Sequence, residues 1–179
     1  MEINYFGKPY SFSHVVALRR FGKKEKYFSK ETIEKAFDSV KANSIAVVPI
    51  YNTFGGEITD TIDAMLKYKD ADLKIKEELE FNIELYLIGK NKNLSKINKI
   101  YSHAYPLKVS EEWIKKNIPN AKVESIASTS YAVIKAKKEK NSCAIASREA
   151  AEHYNVNVLD KIILEGKDNI TSFFVFGLK

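Results

Sequence analysis

The chain has 179 residues, 45% hydrophobic and 29% charged, with 7 Gly and 4 Pro; that is material for one globular domain or two small lobes, and it excludes disordered and collagen-like classes. The net charge is +6, yet only Arg19, Arg20 and Arg148 among the 29 basic residues are arginine, and the lysines are mixed with glutamate, as in "KAKKEK" and "KIKEELE". Such mixing marks solvated faces, so no nucleic-acid partner is expected.

In chain order, "INYF" (3–6) reads as a strand and "GKPY" as a turn. "SFSHVVALRRF" (11–21) reads as a helix capped by Ser11 or Ser13, and "EKYFS" (25–29) as a short strand. From a Ser29 cap, Ile33, Ala36, Phe37 and Val40 fall at helical spacing. "SIAVVPI" (44–50) is a buried strand, "YNTFGGE" a loop, and Thr59 caps a helix presenting Ile62, Met65 and Leu66 on one side. "LKIKEELEFNIELYLIGK" (73–90) reads as one long extended segment that leaves one lobe and enters another. Alternation then restarts: "KIYSH" as a strand, a helix at 110–117, "AKVESI" as a strand, a helix at 128–140, "SCAIAS" as a strand and a helix at 148–155. "VNVLDKIILE" and "TSFFVFGL" are extended and return the chain to the first lobe.

The pattern predicts a two-lobed α/β fold: lobe 1 about 1–76 plus 162–179, lobe 2 about 77–161, with a cleft between them lined by strand-to-helix loops. No apolar run is long enough to cross a bilayer, and "MEINYFGKPY" lacks a signal-peptide pattern. No membrane partner and a cytoplasmic location are therefore expected. Cys143 lies in a buried-strand pattern and reads as an inert thiol. His14, His103 and His153 show no ligand spacing with one another or with Cys143, so no metal is expected.

The loops at the strand ends are rich in Ser, Thr, Asn and Gly: "GKPYSFS", "YNTFGG", "ASTS", "SRE" and "NIT". One such loop is explained by helix capping. Five in one register point to a site where helix N-termini and hydroxyls hold a carboxylate or phosphate.

These same loops carry a resemblance to the prephenate dehydratase family along nearly the whole chain. The family's Gly-Pro-x-Gly-Thr-Phe-Ser stretch reads here as Gly7 to Ser13, and its Pro-Ile-Glu-Asn-Ser-x-x-Gly loop as Pro49 to Gly56, with Asp63 keeping a later Asp. Its Ser-Thr-Ala turn is Ser128-Thr129-Ser130, its Ala-Ile-Ala-Ser element matches Ala144 to Tyr154, and its Asn-x-Thr-Arg-Phe signature is Asn169 to Phe173. The resemblance implies a periplasmic-binding-protein-like (type II) fold, no cofactor and a homodimer. It implies Thr171 as the principal catalytic residue, with Ser11, Ser13, Asn52, Thr53, Ser128, Thr129, Ser147, Arg148, Ser172 and Phe173 binding the substrate, prephenate or an analogous small carboxylate. The chain ends at Lys179, so neither a phenylalanine-binding regulatory domain, nor a fused chorismate mutase, nor phenylalanine feedback is expected.

Departures fall inside the motifs. Ser172 replaces the signature Arg, Tyr51 the Glu, Thr53 the Ser, Tyr10 the second Gly, and Glu165 an upstream Asp. Serine cannot reproduce the bidentate guanidinium fork; Arg148 is the first candidate to compensate, with Arg19, Arg20 and nearby lysines as further ones. Three functions follow from the resemblance: a prephenate dehydratase giving phenylpyruvate, a non-aromatising prephenate decarboxylase of a secondary-metabolite pathway, and a non-catalytic carboxylate-binding protein.

Overall fold

A computed structural model describes residues 1–164, 166 and 168–179; Glu165 lies outside them. The chain forms two compact units, Met1–Ile83 with Asn169–Lys179, and Glu84–Asp168.

In the first unit β1 (Glu2–Phe6), β2 (Lys26–Lys30) and β3 (Ser44–Asn52) run parallel, with β1 central to the three. β11 (Ile170–Leu178) joins β3 antiparallel, and β5 (Leu73–Asn82) joins β11 antiparallel, giving the order β2-β1-β3-β11-β5. The short β4 (Gly56–Glu57) folds back on β3 as a hairpin. Alternation along the strands builds two buried faces. Ala46 and Val48 of β3 and Phe176 of β11 pack with Ile33, Ala36 and Phe37 of α2 (Ile33–Asp38) and Ala64 of α3 (Thr59–Lys67). On the other face Tyr5 stacks on His14 of α1 (Phe12–Phe21), with ring centroids 4.3 Å apart.

The second unit orders β10 (Asn157–Ile162), β6 (Leu85–Gly89), β9 (Ser142–Ala146), β7 (Lys99–Ser102) and β8 (Lys122–Ser125) in one sheet. β7 runs parallel to both β8 and β9, while β6 is antiparallel to β9 and β10. β9, "SCAIA", is buried at every residue. Its small side chains suit the approach of α6 (Thr129–Lys138), whose Ala132, Val133 and Ala136 are also fully buried. α4 (Ala104–Val109), α5 (Glu111–Asn117) and α7 (Arg148–Tyr154) complete the unit.

Several local expectations change. The extended segment 73–90 is two strands, β5 and β6, belonging to different units. The changeovers come after Ile83 and Asp168, a few residues beyond the expected 76/77 and 161/162, because β5 stays paired to β11 as far as Asn82 and β10 to β6 as far as Ile162. Ser29 is in β2, where its hydroxyl donates to Gly7 O; Thr32 caps α2 instead, accepting from Lys35 N–H. Thr59 is the first helical residue rather than the cap, and Leu66 is exposed because α3 buries Thr61 and Ala64. The segment at His103 to Val109 contains the helix α4, which its Pro106 obscured; proline is tolerated in a first turn, where its missing N–H has no partner to lose.

Candidate active site

The carboxyl ends of β1, β2 and β3 lie at one edge of the first sheet, and β11, running the other way, brings its first residues to that edge. Asn52, the last residue of β3, is opposite Thr171, and Phe81 of β5 is opposite Thr171 on its other side. Asn52 and Thr171 are 4% and 7% exposed. The Asn52 amide donates from Nδ2 to Thr171 Oγ1 (2.8 Å) and to Asn169 Oδ1 (2.9 Å). Its Oδ1 accepts from Phe54 N–H (2.7 Å) and Gly55 N–H (3.0 Å), an Asx turn that closes the hairpin. Two donors and two acceptor positions are thus filled, and the two backbone N–H groups dictate which end of the amide is oxygen.

Thr171 Oγ1 accepts from Asn52 and therefore keeps its own proton to donate. Accepting one hydrogen bond strengthens a hydroxyl as donor of the next. Asn169 anchors the segment further: its Nδ2 donates to Ile83 O at 3.1 Å and its carbonyl accepts from Ile83 N–H at 2.7 Å. Thr53 ties the hairpin to β11 twice, with Thr53 N–H donating to Ile170 O (3.0 Å) and Ile170 N–H to Thr53 Oγ1 (3.1 Å).

This meeting depends on a β-bulge. The β3–β11 register slips between Ser172 and Phe173, so that Phe173 faces Pro49, Ser172 faces Tyr51, and Ile50 is the extra residue. Proline cannot donate to a ladder, and inside a sheet it is found at bulges. Ile50 O accepts instead from Ile58 N–H (2.9 Å), and Pro49 O from the Thr61 hydroxyl (2.5 Å). One extra residue reverses which face later side chains take, and this one turns Asn52 toward Thr171.

Ser11 and Ser13 lie at the start of α1, 8% and 3% exposed. Ser11 occupies the cap position but does not cap by its side chain; its hydroxyl donates to Phe6 O at 3.0 Å. Ser172 and Phe173 follow Thr171 on β11, 8% and 1% exposed. By alternation Ser172 points away from the face shared by Thr171 and Phe173.

In the second unit the ends of the parallel strands β7, β8 and β9 share one edge. Ser128 caps α6, accepting from Tyr131 N–H (3.2 Å), with Thr129 next to it and buried. Ser147 caps α7, accepting from Ala150 N–H (3.2 Å). Arg148 is exposed, its guanidinium 4.7 Å from the Tyr86 ring centre, and contact with Tyr86 raises its already high pKa. Tyr86 in turn donates to Glu84 at 2.8 Å, and Glu84, held below the usual carboxylate range mainly by Lys161 and then by Tyr86, pairs with that lysine.

The other two arginines are in the first unit. Arg20 pairs with Glu77 at 2.7 Å, whereas Arg19 lies 4.8 Å from the centre of the Phe81 ring, the β5 neighbour of Thr171. A shallow groove of about 310 Å³ runs between α1 and β5, lined by Val16, both arginines and Glu78 to Phe81; Thr171 does not line it. Among the described residues no group of three or more His, Cys, Asp or Glu side chains could hold a metal ion, and no helix is long and apolar enough to cross a membrane.

The two charge-removing departures, Tyr51 and Ser172, are directly opposite one another. An acid and an arginine at these positions would be cross-strand partners; here both charges are gone together and neither is left buried alone. The Phe54 and Gly55 N–H groups are parts of the Thr171 network that side-chain composition did not single out. Asn169 was legible as the first residue of the polar "NIT" stretch and of the closing signature.

A two-sheet α/β chain with amide and hydroxyl side chains gathered at the carboxyl ends of its parallel strands has the fold class of the type II periplasmic binding proteins. A solved methionine-binding protein matches with a TM-score of 0.52 at 10% identity, over 100% of this chain and 83% of its own, a likeness of fold alone. Within that class the model of the family described as Prephenate dehydratase matches residues 3–179, and the chain belongs to the prephenate dehydratase family. It is 36% identical over 148 residues to a prephenate dehydratase of Methanocaldococcus jannaschii, covering 83% of this chain and 53% of the relative. It is 33% identical to a bifunctional chorismate mutase/prephenate dehydratase of Aquifex aeolicus, covering 99% and 49%. The solved prephenate dehydratase of Staphylococcus aureus matches with a TM-score of 0.80 at 26% identity, covering 99% and 66%. The chain spans about half the length of these two curated relatives.

Proposed function

We propose that the chain converts prephenate to phenylpyruvate, carbon dioxide and water, with Thr171 as hydrogen-bond donor to the departing C4 hydroxyl. The bond between the ring and its carboxylate breaks, its electrons aromatise the ring, and the C4–O bond breaks, the departing hydroxide taking up one proton from solvent to become water. A threonine hydroxyl is too weak an acid to protonate that oxygen outright, but a fixed donor stabilises the charge that develops on it.

The observation that carries this reading is the Asn52–Thr171 hydrogen bond. It commits the Thr171 oxygen as acceptor and leaves the proton to point at a ligand, from an amide that cannot rotate. Recognition of the substrate carboxylates belongs, in the same proposal, to Ser11, Ser13, Thr53, Ser128, Thr129, Ser147 and Arg148, with Arg19, whose guanidinium lies 4.8 Å from the ring of Phe81, the β5 neighbour of Thr171, as a further cation. Phe173, on the same face of β11 as Thr171, completes the binding set, and Ser172, which points to the other face, is left out of it. A homodimer and a cytoplasmic location are part of the reading and rest on family resemblance; sedimentation of the purified chain checks the first.

One observation favours a second reading, a non-aromatising prephenate decarboxylase of secondary metabolism: the paired loss of charge at Tyr51 and Ser172 next to Thr171. Mass spectrometry of prephenate incubated with the protein separates the two. Loss of carbon dioxide and water identifies the dehydratase; loss of carbon dioxide alone identifies the decarboxylase. Turnover no faster than the spontaneous reaction defeats both and leaves a different substrate or a carboxylate-binding role. For the dehydratase, Thr171→Ala is expected to lower kcat by about 100-fold or more, the scale of losing one preorganised donor.

A further inference from the structure

We infer that His14 is a positioning residue for the loop Gly7 to Ser13, its unprotonated Nδ1 holding Tyr10 in the left-handed conformation that sets Ser11 and Ser13. Tyr10 has φ 62°, a region that a side chain with a Cβ rarely enters. It stands where the family motif has its second Gly, a residue for which this conformation carries no strain. The Tyr10 N–H donates to His14 Nδ1 at 2.9 Å. That nitrogen is therefore the acceptor, and the ring proton of the neutral imidazole belongs on Nε2.

The imidazole is held for this task. It is 7% exposed, stacks on Tyr5 at 17°, and is met edge-on by Tyr10 and Tyr27, both with centroids at 5.2 Å. The tyrosine rings come from β1, the loop itself and β2, so three segments fix the acceptor's direction. The rest of the loop is pinned by Gly7 N–H to Lys30 O (2.8 Å), Ser29 Oγ to Gly7 O (2.6 Å) and Ser11 N–H to Lys8 O (3.0 Å). Gly7 cannot take over: its φ is 95°, and a Cβ there would meet Ser11 Oγ at 2.8 Å. The strained Tyr10 and its acceptor are thus the step between this framework and the two serines.

The catalytic part of this inference rests on the prephenate reading; the conformational part does not. His14→Phe keeps a stacking ring and removes the acceptor. His14→Asn keeps an acceptor at the Nδ1 position and removes the ring. Hydrogen exchange of the Tyr10 to Ser13 amides is read by NMR, and KM and kcat with prephenate are measured on the same proteins. His14→Phe is expected to speed exchange at these amides about tenfold or more and to raise KM by about tenfold, with kcat changed less. His14→Asn is expected to recover most of both. Loop amides in His14→Phe as protected as in the parent chain, or equal losses in the two variants, would overturn the proposal in favour of simple ring packing. Should His14→Asn fail to fold, His14→Phe combined with Tyr10→Gly decides: without the strained Cβ, exchange should return to within about threefold of the parent, and a result as fast as His14→Phe alone counts against the proposal. A parent chain that leaves prephenate unchanged defeats the functional reading, while the exchange data still judge the loop.

Discussion

Asn52 and Thr171 illustrate how much depends on which atom holds a proton. Asn52→Asp is nearly isosteric, but it replaces the donating Nδ2 by oxygen. Thr171 would then turn its proton toward the new carboxylate, and Asn169 Oδ1 would face a second acceptor. Activity is expected to fall by about 100-fold in a prephenate assay. Stability should drop by about 1–3 kcal/mol, the cost of leaving buried polar groups unpaired, read as a lower midpoint of denaturation. Cys143 makes the opposite case, a reactive group kept silent. It is fully buried, its thiol is within 3.7 Å of Lys99 O, and burial pushes its pKa up to about 12 from 9.0. The native protein should not react with a thiol reagent near neutral pH, while the denatured chain should react fully. Because the folded value is the higher one, the unfolded thiol ionises first as pH rises. Its contribution to stability is complete below about pH 9 and is lost progressively between 9 and 12. A Cys143→Ser variant should show a shallower alkaline decline in thermal midpoint.

At the scale of elements, turns and bulges carry the information that periodicity lacks. Gly7 and Gly56 both have positive φ, but a Cβ on Gly56 would meet nothing within 4 Å. Gly56→Ala should therefore cost only the backbone penalty, about 1–2 kcal/mol. Gly7→Ala should cost more and also disturb Ser11, and the comparison of their thermal midpoints checks the order. The Ile50 bulge is invisible in "IAVVPIYN", which reads as one apolar strand ending at residue 50 and then a loop. Pro49 was the available hint, since a central strand tolerates proline only where the ladder is broken. α4 was hidden for a similar reason: proline in a first turn is compatible with a helix that its presence elsewhere would forbid.

For the whole molecule, the charged residues, 29% of the chain, do little for the fold. Pairs such as Lys35–Glu31, Lys67–Glu34 and Lys115–Glu111 are exposed on both sides, and exposed pairs contribute little and are screened by salt. Raising salt from about 0.1 M to about 0.5 M is expected to move the thermal midpoint by no more than about 2 °C. A larger drop would mean that ion pairs hold the units more than their exposure allows. Composition and fold are shared by chains that act differently, so the proposed reaction is tested by incubation with prephenate, whose products distinguish aromatisation from simple decarboxylation.

The α/β class, the alternation that builds each sheet, the burial of Cys143 and the family motifs were all legible in the linear order of residues, because each rests on local periodicity or on short runs of fixed spacing. Ser147 and Ser128 were legible as caps for the same reason. What the linear order could not convey is register. Asn52 and Thr171 are far apart in the chain, and a slip of one residue between β3 and β11 would turn the amide to the opposite face. The bulge at Ile50 and the pairing of Tyr51 with Ser172 were decided by tertiary structure alone. Hydrogen bonds between distant strands are satisfied in one alignment and broken in the next, and no local pattern of side chains encodes that choice.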